Sequence, residues 1–355
     1  MNVNEVINPA TLAAYFTEHP SNTIPYLGEG LFPRKKKAGL DLSFIRRSNG
    51  IPVSLKPSAF DAKATFRDRI GATKIDTEMP FFREGMIVSE KDRQEILRVS
   101  ESNDPYLIST VNQIFDDANT LVRAAEVVPE RMRWQLLAPT TGKTGISIVA
   151  NGVDYTYDYD PDGTWKTNNF LEVTSTDKWD APETADPLDD LRTAQDKAEL
   201  ASGTRPGIAV MNRNTMNLLL KVKAVQSAVL AQNATANIFM NEAVLRNVLS
   251  AQLGLDLVVY NKLYKDESGA AHTFMPDNMV TLLPGVPLGS TYYGTTPEEA
   301  QLLGNNPKAQ VEIINTGIAL TTLTNENPVN SEIICSEIVL PSYEGMDSVA
   351  AIKVA

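Results

Sequence analysis

The sequence predicts an α+β protein, on three observations. An apolar stripe with helical spacing runs through residues 104–137, strand and helix patterns alternate from Gly207 to Tyr260, and strand-like runs close the chain at Ala309–Leu323, Glu332–Leu340 and Ser348–Val354. At 355 residues the chain is long enough for two domains and a sizeable core. Hydrophobic residues at 43% and charged residues at 21% place it among ordinary globular proteins and away from wholesale disorder.

Taken in order, residues 1–33 begin with a short helix-like stretch, Pro9–Phe16, which Thr11 could cap, and continue irregularly through Pro20, Pro25 and Pro33, so they predict an arm. From Leu42 the pattern is strand-like. Phe60, Ala62, Ala64 and Phe66 alternate with Asp61, Lys63, Thr65 and Arg67, giving one apolar and one wet face. Ser48-Asn49-Gly50 and Ile70-Gly71 supply turn chemistry, so residues 42–80 predict a long two-stranded excursion. An isolated hairpin is marginal in water and needs a surface to lie on.

A long helix follows. Asp104-Pro105 starts it, a capping carboxylate before proline at the first helical position, and Leu107, Ile108, Val111, Ile114, Phe115, Ala118, Leu121, Val122 and Ala125 fall on one face. Pro129 is expected to kink or break it, with Met132, Leu136 and Leu137 extending the face beyond. A continuous helix from Tyr106 to Leu137 would span roughly 48 Å, a structural spine. Next comes a hairpin, Gly145–Ala150 and Val153–Tyr159 around Asn151-Gly152, the strongest short-range hairpin signal there is. Asp186-Pro187 opens another helix, with Leu188, Leu191, Ala194 and Ala198 inward and Gly203 ending it. Gly207–Met211 then predicts a strand, Thr215–Gln232 a helix, Asn241–Leu253 a helix ended by Gly254, and Asp256–Tyr260 a strand.

Charge is unevenly distributed. Between Arg34 and Lys74 lie eleven Lys or Arg against three Asp, a formal +8 within a chain of net −12. Between Asp154 and Leu200 lie thirteen Asp or Glu against four Lys or Arg, a formal −9. The acidic total argues against a general surface for nucleic acid. The basic segment is expected to lie on an acidic object, and another copy of the same chain is the nearest one, since opposed patches steer association and set register.

Chemistry is sparse. Asp158-x-Asp160-x-Asp162-Gly163 imitates half a calcium loop, but Asn169 stands where a bidentate Glu is required and strands are expected on its flanks, so it reads as a solvated turn. A metal-dependent hydrolase built on that cluster is the alternative from another class. His19 and His272 are the only histidines and form no ligand spacing, and Asp116-Asp117 and Asp189-Asp190 are helix neighbours that do not share a face. No nucleophile elbow, P-loop or dinucleotide glycine cluster is present, so neither enzyme activity nor a cofactor is expected. The single Cys335, in an apolar run, fits a buried side chain and a reducing compartment. The N-terminus has no apolar signal core, and no run approaches the roughly 20 residues needed to span a bilayer.

The order of parts, arm, extended loop, spine helix, hairpin, inserted α/β region and closing strands, resembles the major capsid proteins of tailed bacteriophages with the Hong Kong 97-type fold, and among them the lambda-type capsid protein E family. Phe274-Met275-Pro276-Asp277-Asn278 with the apolar run to Pro284, the hairpin after the spine helix, and Pro341-Ser342-Tyr343-Glu344-Gly345-Met346-Asp347 leading into Ser348–Val354 carry the likeness. The resemblance implies an N-terminal arm at 1–41 and an extended E-loop at 42–82. It implies a peripheral P-domain at 83–179, with the spine helix at 104–137 and the hairpin, completed by return strands at 328–355, and an inserted A-domain at 180–327. It further implies pentamers and hexamers of the chain itself in an icosahedral procapsid that expands as double-stranded DNA is packaged, without sequence-specific binding. A portal, a separate scaffolding protein and, in some relatives, a decoration protein are the implied partners, with the virion as location after assembly in the host cytoplasm. Some relatives cross-link subunits through a Lys–Asn pair; no motif assigns that role here, and Lys56 or Lys63 read as solvated or salt-bridging charges. Intersubunit contacts are expected from Phe60, Lys63, Phe66, Arg67, Arg69, Arg46 and Arg47. A nanocompartment shell subunit, which shares the fold, is the nearer alternative function.

Overall fold

The structure is a computed structural model that describes residues 8–10, 13, 26–45, 74–92, 94, 105–150, 152–230, 240–303 and 309–355. Its strands in chain order are β1 (Arg34–Lys36), β2 (Asp41–Ile45), β3 (Lys74–Glu78), β4 (Phe81–Val88), β5 (Gly145–Ala150), β6 (Val153–Asp158), β7 (Phe170–Glu172), β8 (Ile208–Met211), β9 (Asp256–Val259), β10 (Leu263–Lys265), β11 (Ala271–Thr273), β12 (Met279–Leu283), β13 (Thr291–Tyr293), β14 (Ala309–Ile314), β15 (Ile318–Thr324), β16 (Ser331–Pro341) and β17 (Ala350–Lys353). The helices are α1 (Leu27–Leu31), α2 (Pro105–Leu137), α3 (Thr164–Asn169), α4 (Pro187–Ser202), α5 (Arg213–Lys221), α6 (Lys223–Leu230), α7 (Glu242–Leu253) and α8 (Pro297–Leu303). They fall into two compact units: residues 1–43, 76–132 and 290–342, and residues 44–75, 133–289 and 343–355.

The first unit is built on β16. Its residues Ser331–Ser336 pair antiparallel with β15 on one side and with β4 on the other, and its last residues pair with β13. β14 extends the sheet beyond β15, and the basic strand β1 runs parallel to β13. Ala118 and Val122 of α2 pack with Val88, Ile314, Ile318, Leu320, Ile333 and Cys335, so the helical stripe lies on one face of this sheet as its spacing requires.

Two expectations are corrected here. The run Ala309–Leu323 is two strands, because Asn315 and Thr316 adopt left-handed φ of 46° and 81° and reverse the chain. Pro129 does not end α2, which is helical throughout Pro105–Leu137. Proline costs one hydrogen bond and a steric clash there, about 3 kcal/mol, and the buried side chains of Val122, Met132, Trp134, Leu136 and Leu137 on either side offset that cost.

The second unit holds a five-stranded sheet in the order β7-β17-β12-β8-β9, with its outer pairs parallel and its inner pairs antiparallel. All five residues of β12 are buried, as a central strand covered on both faces demands. Leu191, Ala194 and Ala198 of α4, Met216 and Leu219 of α5, Val225 of α6 and Leu245 and Leu249 of α7 join Ala209, Met211, Leu257, Val280, Leu282 and Ile352 in one core.

The predicted helix ends hold. Asp186 caps α4 through Asp189 N, Asn241 caps α7 through Val244 N, and Gly203 and Gly254 close these helices in the left-handed conformation. The expected helix Thr215–Gln232 is two helices, because Val222 is extended and fully buried and Lys223 N donates to Pro182 O at 2.9 Å instead of continuing the ladder. β17 is shorter than the expected Ser348–Val354, since Met346–Ser348 coil into a 3-10 turn before it. The predicted hairpin is β5–β6, with Ala150 opposite Val153 and Gly152 at φ 78°. Among the described residues no helix is long and apolar enough to cross a membrane.

Candidate assembly interface

Phe60, Lys63, Phe66, Arg67, Arg69, Arg46 and Arg47, with the turn residues 48–50 and 70–71, lie outside the described residues. The described part of the basic segment, Arg34–Ile45, behaves differently from the expectation that the whole of it lies on a neighbour. Arg34 is the clearest correction. Its Nε and Nη2 meet the Glu29 carboxylate at 2.7 and 3.2 Å, and its Nη1 and Nη2 meet Glu126 of α2 at 3.0 and 2.6 Å. Nη1 also donates to Asn315 O at 3.3 Å, while Asn315 Nδ2 donates to Glu126 Oε1 at 2.8 Å. Burial works against the guanidinium charge, but the hydrogen bonds to Glu126 and Glu29 outweigh it and hold the group more firmly protonated than an ordinary arginine. Lys36 pairs with Glu299 at 2.5 Å and donates to Gly294 O at 3.0 Å, and Lys35 lies 5.9 Å from the Tyr292 ring centroid. Two of the three cations of β1, Arg34 and Lys36, are thus ion-paired within their own unit, while Lys35 is exposed.

The acidic region 154–200 divides in the same way. Asp160 is buried and accepts from Trp165 N and Lys166 N at 2.9 and 3.0 Å. It therefore takes two first-turn amides of α3, whose N-cap position is Gly163, which corrects both the solvated-turn reading and the strand expected after it. Asp158 pairs with Lys143 at 2.9 Å, Asp196 and Glu199 both grip Arg205 at 2.6 Å, and Glu172 meets Lys353 at 2.8 Å. Asp190 accepts from Trp179 Nε1 at 2.8 Å; burial raises its pKa against that bond, with Asp186, Asp189 and Asp177 adding to the rise. Asp154, Asp177 and Asp180 have no cation within ion-pair distance among the described residues, so the acidity left for a partner is concentrated in fewer groups than the formal charge suggests.

The hairpin is the part of this region with two distinct edges. Gln135 of α2 lies against β5: its Nε2 donates to Ser147 O and its Oε1 accepts from Ser147 N, both at 3.0 Å. The amide side chain copies the hydrogen bonds of a neighbouring strand at that one residue of the edge. Sequence reasoning missed Gln135, as it missed the Arg34 clamp, because each depends on a partner brought from a distant segment. The acidic residues Glu126 and Glu130 within the buried stretch of α2 were the available signal for the clamp.

The remaining sequence candidates are local. His272 Nε2 contacts Asp266 Oδ2 at 2.8 Å across the β10–β11 hairpin, and His19 lies outside the described residues. The Asp266 carboxylate also accepts from Ser268 Oγ, and its pKa is lowered by these two bonds, Ser268 first. Cys335 is buried in the sheet of the first unit, where burial pushes its thiol well above the usual range. Among the described residues no group of three or more His, Cys, Asp or Glu could hold a metal ion.

Comparison with known proteins shows the family and the fold. A family model described as phage major capsid protein E matches residues 8–333. The chain belongs to that family. Solved structures share the fold of this capsid protein E family member over nearly the whole chain. A protein of an Escherichia coli CFT073 prophage, assigned as its capsid protein, is 15% identical with a TM-score of 0.61, covering 98% of this chain and 99% of that one. A phage-related protein from Bordetella bronchiseptica RB50 is 14% identical with a TM-score of 0.56, covering 98% of both chains. The capsid asymmetric unit of Cyanophage A-1(L) is 11% identical with a TM-score of 0.53, covering 92% of this chain and 91% of that one. At these identities the likeness shows the fold, which is the Hong Kong 97-type α+β fold of phage capsid proteins. No protein of curated function matches the sequence.

Proposed function

We propose that this major capsid protein assembles with copies of itself, as pentamers and hexamers, into an icosahedral shell that encloses the double-stranded DNA genome of a tailed phage. The family match over residues 8–333 is the observation that carries the proposal. In this reading residues 1–41 act as the arm, 42–82 as the extended loop, 83–179 with 328–355 as the peripheral domain, and 180–327 as the axial domain. Of the strands within 180–327, β8, β9 and β12 share the five-stranded sheet with β7 and β17, while β13, β14 and β15 share a sheet with β16. Phe60, Lys63, Phe66, Arg67, Arg69, Arg46 and Arg47 serve as contacts between subunits, a scaffolding protein and a portal take part in assembly, and the protein resides in the virion.

The physical mechanism is association through segments with few contacts of their own. Interfaces of this obligate kind bury roughly 2,000 Å² or more, and closed symmetry limits growth. The net charge of −12 keeps free subunits apart until complementary patches meet. Electron microscopy of the purified protein, expressed with and without a candidate scaffold, tests the proposal. Closed shells are expected, and a homogeneous species no larger than a dimer under both conditions overturns it.

A further inference from the structure

The longest sheet edge in the described structure is the outer side of β4, which runs from Phe81 to Val88. Its register with β16 decides which backbone groups face outward. Val339 N donates to Pro80 O at 3.3 Å, one step beyond the pair Ile338–Phe81. Antiparallel bonding alternates, so Phe82, Glu84, Met86 and Val88 exchange bonds with β16, while Arg83, Gly85 and Ile87 direct N–H and C=O away from it. Ile338 fits this alternation, since its C=O accepts from Gly294 N on the other side. Among the described residues no strand pairs with the outer side of β4, and no backbone bond reaches Arg83, Gly85 or Ile87 there. Ser89 ends the edge, its N–H held by Asp92 Oδ2 at 2.9 Å.

The side chains leave this edge unguarded. Met86 and Val88 pack toward α2, so Arg83, Gly85 and Ile87 stand on the opposite face. Natural sheet edges are blunted by charged side chains that project from them. Arg83 is the one cation of β4, but it pairs with Glu298, and its guanidinium lies 4.7 Å from the Phe81 ring centroid. Ser336 Oγ holds the same Glu298 carboxylate at 2.8 Å, so the arginine is folded onto its own unit. A Cβ built on Gly85 would lie 3.2 Å from Ile334 Cγ1, so the Ile334 side chain takes that space. A glycine inside a strand marks a place where another backbone can come close. Ile87, beside it, is 61% exposed.

We propose that the outer edge of β4 pairs antiparallel with β4 of a second copy, across a two-fold axis at Gly85. This rests on the capsid reading above and adds to it a contact between two described strands. The strand is self-complementary in that register, which sets Gly85 against Gly85, Arg83 against Ile87, Glu84 against Met86 and Phe82 against Val88. Outward groups then meet outward groups, and each Gly85 or Arg83–Ile87 pair exchanges both its backbone bonds. The neighbouring register, centred on Glu84, places two carboxylates directly opposite each other and is disfavoured. A second copy is the occupant because every copy brings the same edge, and a two-fold contact closes on itself instead of starting a filament.

Ile87→Lys and Ile87→Glu test the pairing together. Residue 87 is exposed, so both free subunits are expected to melt within about 3 °C of wild type. In the paired sheet the lysine stands opposite Arg83 of the second copy, a like charge, and the glutamate stands opposite the same arginine as its ion partner. The yield of shells is expected to fall about tenfold for Ile87→Lys and to stay within about twofold of wild type for Ile87→Glu. Wild-type yields from both variants, or an equal fall in both, overturn the inference and leave the capsid reading standing. A wild-type protein that forms no shell overturns that reading and the inference with it. Should either variant fail to fold, copies carrying Glu84→Cys mixed with copies carrying Met86→Cys decide, since these positions face each other across the axis. Disulfides that join the two kinds of copy in oxidised shells support the pairing. Disulfides only between two Glu84→Cys copies, or none, overturn it.

Discussion

Arg34 and Glu126 form a nearly enclosed ion pair, Nη2 to Oε2 at 2.6 Å, with their side chains 14% and 12% exposed. The guanidinium is shared with Glu29, so one cation serves two carboxylates and fastens β1 to α2. Removing it leaves Glu126 without its cation in a low-dielectric setting. Arg34→Ala is expected to lower the unfolding free energy of the free subunit by about 3 kcal/mol, read by denaturant titration. Arg34→Lys should recover less than half of that, because an ammonium cannot bridge two carboxylates as the planar fork does. A lysine variant as stable as wild type would show that charge alone matters there.

The turn between β14 and β15 is pressed against a ring. A Cβ built on Gly317 would lie 2.4 Å from Tyr293 Cβ and 2.6 Å from its Cδ1. Gly317→Ala is expected to cost about 2 kcal/mol by overpacking, and thermal melting of the free subunit checks it. A loss under about 0.5 kcal/mol would mean that the turn relaxes freely.

Asn212 is both a cap and a donor. Its Oδ1 accepts from Thr215 N and Oγ1 at 2.8 Å, and its Nδ2 donates to Met275 O at 3.2 Å and to Asp277. Asn212→Asp keeps the cap but removes the donor and places a second carboxylate against Asp277. The variant is expected to lose about 2 kcal/mol at neutral pH despite its good capping residue. The repulsion raises a folded-state carboxyl pKa, so the deficit should appear as pH rises through that value and fade in acid; melting curves at pH 4 and pH 7 that show the same deficit would contradict it.

Asp190 carries a folded-state pKa above the ordinary carboxylate value, with burial as the leading cause. A raised carboxylate pKa means stability that is fully present below the unfolded-state value, about 3.9, and is lost as pH rises through the folded value. Asn at 190 keeps an oxygen for Trp179 Nε1 and carries no charge. Asp190→Asn should therefore melt higher than wild type at pH 7 and match it at pH 3. Equal melting temperatures at pH 7 would mean that the hydrogen bond from Trp179 already offsets the burial.

Much of the fold was legible because local chemistry agreed with the final structure. Pro105, Asp186-Pro187, Gly203, Gly254 and Gly152 belong to start, stop and turn signals whose effect acts within a few residues, and each marks the element it announced. The misreadings share a cause of the opposite kind. Val222 breaks a good helical pattern because Pro182 O, forty-one residues back, captures the next amide. The Asn315–Gly317 turn divides a run that alternation alone reads as one strand, and its fit depends on Tyr293. Pro129 stays helical because buried neighbours on both sides outweigh its local preference.

The same division applies to function. The sequence by itself determined the α+β class, the hairpin, the ends of α4 and α7 and the membership of the capsid protein E family, since periodicity, caps and turn chemistry are written in adjacent residues and the order of parts is linear. Only the tertiary structure decided where the charge goes. Arg34, Lys36, Asp160 and Asp196 look alike in a count of charges, yet they are engaged within their own units, while Asp154 is left facing outward on an open edge. Whether a charged side chain is available to a partner depends on which distant group reaches it first, and that distance exists only once the chain has folded.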